Sequence, residues 1–69
     1  MEKFFALSNE KQNTIRNAAL ACFAKHGYEK ASINDIAVAA GNSKASIFQY
    51  FGSKQALYQY LLDYCTAQM

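Results

Sequence analysis

Apolar positions recur along this chain at helical spacing. The longest such run, Ile15, Ala18, Ala19, Cys22 and Phe23, fits the i, i+3, i+4, i+7, i+8 template of a single buried stripe. Asn13, Arg16, Asn17 and Lys25 fall on the other faces, so the spacing predicts a first helix from about Glu10 to His26. Gly27 supplies its stop, Tyr28 is placed to fold back over the core, and His26 stands as a solvated residue near the negative end of the helix dipole. Between Ser32 and Leu57, three helix starts and two short breaks share very little sequence. Ser32 with Asp35 three residues on resembles a capping box: the Ser hydroxyl accepts from an orphan N–H and the carboxylate reaches back. A helix about two turns long is therefore predicted from Ile33, with Ile36, Ala37 and Ala40 inward and Gly41 ending it in the left-handed conformation. Asn42 completes the turn, and Ser43 caps a second helix from Lys44 to Phe51. Gly52 and Ser53 break and recap the chain once more. Lys54 then opens a third run, with Ala56, Leu57, Tyr60, Leu61 and Tyr64 on one side and no C-terminal stop.

Two short helices joined by a three-residue turn containing Gly make a helix-turn-helix, so the fold class is all-α. Ala37, Ala39, Ala40 and Ala45 flank the turn, where short side chains let helix axes approach closely. The large core elements are expected to be Phe23, Tyr28, Phe48 and Phe51, with Ile15, Ile33, Ile36, Ile47 and Leu57 around them. Sixty-nine residues make one domain of marginal stability, partly offset by five Phe and five Tyr.

The placement of charge says more than its sum, a formal +2. On the outward face of the second short helix Lys44, Ser46, Gln49 and Tyr50 are all hydrogen-bond donors, and no Asp or Glu occurs from Ile36 to Leu62. A surface that meets phosphates needs that absence, because a carboxylate there would oppose the Lys contacts and the counterion release that drives binding. The rival reading is a helix-turn-helix used for protein–protein interaction without DNA activity, which needs the same core.

Phe23, Gly27, Tyr28, Ser32, Ile36 with Ala37, Ala40, Gly41, Ser43, then Ile47, Phe48, Tyr50, Phe51, Ser53, Lys54 and Leu57 follow a known pattern. At these positions, over about Thr14 to Leu62, the chain resembles the N-terminal DNA-binding domain of TetR/AcrR-type transcriptional regulators. The resemblance implies a three-helix DNA-binding domain whose last helix starts into a larger all-helical domain. That second, C-terminal domain, absent from these 69 residues, is expected to form the homodimer and bind a small-molecule inducer. Three departures stand out: Asn42 where the family usually has an apolar residue, Ala45 for a frequent Gly, and Phe48 for a frequent Tyr. The expected function is sequence-specific binding of a palindromic double-stranded operator by a repressor, with Lys44 to Phe51 as recognition helix in the major groove. Lys44 is assigned to the O6 and N7 acceptors of guanine, Gln49 to adenine, and Ala45 to a thymine methyl. Ser32, Ser43, Ser46, Tyr50 and Lys54 are assigned to phosphates, and Asn34 to a flanking base or phosphate.

Other classes fare worse. Cys22, His26 and Asp35 contain the residue types of a nucleophile, a base and an orienting carboxylate, but Cys22 falls in the apolar stripe and a bundle this size leaves no room for a useful pocket. No catalytic residue, cofactor or metal site is expected, since two Cys and one His lack paired ligand spacing. Met1 to Leu7 is too short an apolar stretch for a signal peptide or a membrane span, which makes the cytoplasm the default location, with both thiols reduced. The apolar last helix lacks the Lys and Arg that anchor an interfacial helix, so no membrane partner is expected either.

Overall fold

Every helix in this chain begins or ends on a device visible in its local sequence, and those devices set the path of the backbone. The computed structural model describes residues 2–67, among which the order is α1 (Glu2–Phe5), α2 (Asn9–Lys30), α3 (Ile33–Ala40), α4 (Lys44–Phe51) and α5 (Lys54–Ala67). Ser8 caps α2 by accepting from the Lys11 N–H at 3.2 Å, so the helix starts one residue before the expected Glu10. Its regular winding stops at Gly27, where φ is 80° and ψ 165°, and a last turn runs on to Lys30 in a new direction. The stop expected at Gly27 is therefore a break within the element, and Tyr28 beyond it stacks on Phe23 at 6.1 Å.

The predicted bounds of α3 and α4 agree with the structure. Ser32 accepts from Asp35 N–H at 3.0 Å, although among the described residues the Asp35 carboxylate makes no return bond to Ser32. At the other end Asn42 N–H reaches Ala37 O at 2.9 Å and Gly41 N–H reaches Val38 O at 3.2 Å, the paired bonds of a Schellman motif. Asn42, the residue that departs from the family's apolar preference, turns its amide to Ala40 O at 3.5 Å.

The core draws on every helix. Ile15, Ala19, Phe23, Ile33, Ile36, Ala37, Ile47, Phe51, Leu57 and Leu61 are buried together, which includes all five aliphatic residues expected there. Phe48 is a correction: it lies 40 % exposed, because Ile47 and Phe51 share the inward stripe of α4 and Phe48 is rotated away from it. Phe4 takes the large aromatic place instead. It is fully buried, with its ring 4.9 Å from Phe51, 5.5 Å from Tyr60 and 6.2 Å from Tyr50, so α1 packs against the back of α4.

Gln12 and Arg16 hold this arrangement. Gln12 is buried, and its Nε2 donates to Phe5 O at 3.1 Å, at the end of α1, and to Leu7 O at 2.9 Å in the turn that follows. Arg16 Nη1 donates to Gln12 Oε1 at 3.3 Å and Tyr60 Oη at 3.2 Å, its guanidinium lies 4.5 Å over the Tyr64 ring, and its other nitrogen meets Asn13. Arg16 is thus tied inward rather than simply solvated. Replacing Phe4 by Ala should cost about 3–5 kcal/mol, the usual range for a buried Phe, and thermal unfolding followed by circular dichroism should show most of the cooperative transition lost. Phe5→Ala, at a ring 54 % exposed, should leave it nearly in place.

Candidate nucleic-acid interface

Eight residues give α4 barely two turns, and their exposure sorts them into three stripes. Ile47 and Phe51 are buried, Ser46 and Tyr50 are half-buried, and Lys44, Ala45, Phe48 and Gln49 are exposed. The exposed four are two i, i+4 pairs on one face. Of the residues assigned to bases from sequence, Lys44, Ala45 and Gln49 therefore stand side by side on the outer surface. Phe48 joins them, where the sequence had placed it in the core: Phe48 and Phe51 are as well spaced for an inward stripe as Ile47 and Phe51, and packing selects the second pair.

Helix starts supply the rest of the surface. Ser43 caps α4 by accepting from Ser46 N–H at 3.1 Å and donates its own proton to Ser46 Oγ at 2.9 Å. Ser46 thereby keeps its hydroxyl proton for an outside acceptor. Among the described residues Ser32 likewise only accepts, and Asn34 lies exposed in the first turn of α3. Tyr50 packs beside Phe4 and Phe51, which leaves it at the margin of the outer face.

The two lysines that open helices are placed in opposite ways. Lys44 is the first residue of α4, where the helix dipole is positive and a cation is locally unfavourable. Among the described residues it has no hydrogen-bond partner, only the Phe48 ring 5.8 Å below its ammonium. An anion brought to that spot would be met by Lys44, the Ser46 hydroxyl and the dipole together. Lys54, first in α5, is tied inward in the unbound chain: its Nζ donates to the carbonyls of Tyr28, Glu29 and Ala31.

A shallow groove of about 290 Å3 between α2 and α3 is lined by Cys22, Lys25, His26 and Asp35 with three alanines. It brings together the three residue types weighed for catalysis. No hydrogen bond links them among the described residues, whereas an activated nucleophile needs its base within reach. No helix among the described residues is long and apolar enough to cross a membrane.

The comparisons with known proteins fall on this same stretch. The family model of bacterial regulatory proteins of the tetR family matches residues 15–61. The chain is 38 % identical over 61 residues to the HTH-type transcriptional repressor AcnR of Corynebacterium efficiens, a match that covers 88 % of this chain and 32 % of that protein. It is 42 % identical over 48 residues to the HTH-type transcriptional regulator RutR of Escherichia coli, covering 70 % of this chain and 23 % of that one. The chain thus spans about a third of the length of its AcnR relatives. No solved structure gives a significant match.

Gly41 fixes the turn on which this surface depends, with φ at 72° and ψ at 27°. A Cβ built there meets nothing within 4 Å, so a substitution costs conformation rather than space. Gly41→Val should lower stability by about 1–2 kcal/mol through the left-handed backbone it must adopt, while Gly41→Asn should lose less because Asn tolerates that region. Chemical denaturation of both variants measures the difference.

Proposed function

The chain belongs to the tetR family of bacterial regulatory proteins, and from that premise we propose that it is the DNA-binding part of a transcriptional repressor that inserts α4 into the major groove. The observation that carries the reading is the outer face of α4: Lys44, Ala45, Phe48 and Gln49, free of acidic residues, beside a helix start where Ser46 keeps its hydroxyl proton. Lys44 offers its ammonium to guanine O6 and N7, Gln49 its amide to adenine, and Ala45 with Phe48 apolar contact to thymine methyls. Ser32, Ser46 and Tyr50 hold phosphates on either side, with Asn34 at the flank, whereas Ser43, assigned to a phosphate from sequence, gives its hydroxyl proton to Ser46 and serves as the cap.

The AcnR relatives are transcriptional repressors, which supports the same sign here. The two thirds of those relatives that this chain does not span leave ample length for a second domain that pairs two such units and takes a small-molecule inducer. Pairing matters physically, because two half-sites a helical turn apart share one binding event and multiply its strength. The protein would act in the cytoplasm, where its operator DNA is.

The test is retention on immobilised duplex DNA, followed by selection of sites from random sequence with the chain fused to a dimerising coiled coil. The chain alone should bind with a dissociation constant on the order of micromolar or weaker and with a marked salt dependence; the fusion should select a palindrome. Failure of both to bind DNA would leave a helix-turn-helix that serves another partner. On the selected site, Lys44→Ala should cost about 1–3 kcal/mol and relax preference at one position per half-site. A uniform loss across sequences would move base reading to Gln49 and make Lys44 a phosphate contact.

A further inference from the structure

We propose that Phe4 is a positioning residue for DNA binding, a wedge that holds α4 at its angle and brings the Tyr50 hydroxyl to the margin of the reading face. The inference rests on the DNA-binding reading, and it extends the DNA-binding unit beyond residues 15–61, the stretch that the family model matches. Phe4 is wholly buried although its helix has only four residues. A helix that short has no stability of its own, so α1 is placed by what it packs against. The Phe4 ring lies 6.2 Å from Tyr50, 4.9 Å from Phe51 and 5.5 Å from Tyr60, so one side chain meets both α4 and α5 at ordinary aromatic contact distance.

Hydrogen bonds hold the wedge from two sides. Gln12, buried in α2, donates to Phe5 O and Leu7 O, so the residues just after Phe4 are bonded to α2. Arg16 donates both to Gln12 Oε1 and to Tyr60 Oη, which joins that anchor to the α5 ring on which Phe4 packs. Held in this way from α2 and α5, Phe4 meets α4 along Tyr50 and Phe51. Phe51 shares the inward stripe with Ile47, so a displaced Phe4 turns the stripe and with it the outer face. Tyr50 carries the effect outward. Among the described residues its hydroxyl has no hydrogen-bond partner, and no buried side-chain oxygen or nitrogen among them lacks one, so that hydroxyl reaches water while the ring rests on Phe4. A hydroxyl on a ring already held in place donates to a phosphate oxygen at a smaller cost in side-chain freedom.

Phe4→Ala opens a cavity that a domain this small does not survive, so the test uses Phe4→Leu, which keeps an apolar side chain and removes the ring. Every measurement is made at a temperature where circular dichroism shows each variant folded. In the unbound chain, residual dipolar couplings of the backbone amides from Lys44 to Phe51 should fit a changed orientation of α4 relative to α2 in Phe4→Leu. Binding to mixed-sequence duplex DNA at low salt should fall about tenfold in Phe4→Leu and about tenfold in Tyr50→Phe, the scale of one hydrogen bond to a charged group, and equally across sequences. The double variant should lose no more than Phe4→Leu alone, because the hydroxyl it removes is already misplaced. Losses that multiply in the double variant, full affinity in either single variant, or an unchanged orientation of α4 would overturn the wedge. A wild-type chain that binds no DNA would remove the functional reading instead, while the dipolar couplings still decide whether Phe4 sets the angle of α4.

Discussion

Burial of Ile47 and Phe51 on one stripe of α4 is the interaction on which the rest depends. A helix of eight residues has no stability of its own in water, because nucleating it fixes several residues for few hydrogen bonds. α4 exists as a helix because that stripe is held, with Phe51 against Phe4 and Tyr60 at 4.9 and 5.8 Å and Ile47 wholly out of contact with water. The phase of the stripe also decides what faces outward. Once positions 47 and 51 are fixed inside, Lys44, Ala45, Phe48 and Gln49 must lie outside, so the core sets the reading surface as directly as the surface residues do.

The same economy governs the charges. In the unbound chain Arg16 and Lys54 bond to the protein itself, one joining α2 to Tyr60 and Tyr64, the other holding the end of α2. From Ser32 to Phe51 the sequence contains one basic residue, Lys44. On such a surface, hydroxyls and helix N–H groups would add to the counterion release that Lys44 supplies. That is in keeping with a net charge of only +2.

Much of this was legible in the sequence, and the parts that were not share a physical reason. The bounds of α3 and α4, the left-handed Gly41 and the serine caps are local, each set by residues within a turn of one another, and each was read from spacing alone. The burial of Phe4 was not, because four residues of helix show no period and their role appears only against α4 and α5. The phase of α4 was misjudged at Phe48 since an apolar residue at 47, 48 and 51 fits two stripes, and only packing chooses between them. The inward turns of Arg16 and Lys54 join partners 44 and 26 residues away, a distance over which no pattern in the sequence speaks. Of the candidate site, the membership of Lys44, Ala45 and Gln49 in one exposed face was legible, and their company with Phe48 was not.

The central claim is that the exposed face of α4 and the starts of α3 and α4 meet duplex DNA. Titrating the isotope-labelled chain with a short mixed-sequence duplex and following each backbone amide tests it most directly. The account predicts that shifts concentrate at Ser32 to Asn34 and Ser43 to Gln49, while Leu62 and Cys65, exposed on α5, stay where they are. Shifts confined to α5 or to the groove lined by Cys22, His26 and Asp35, with α4 silent, would contradict it.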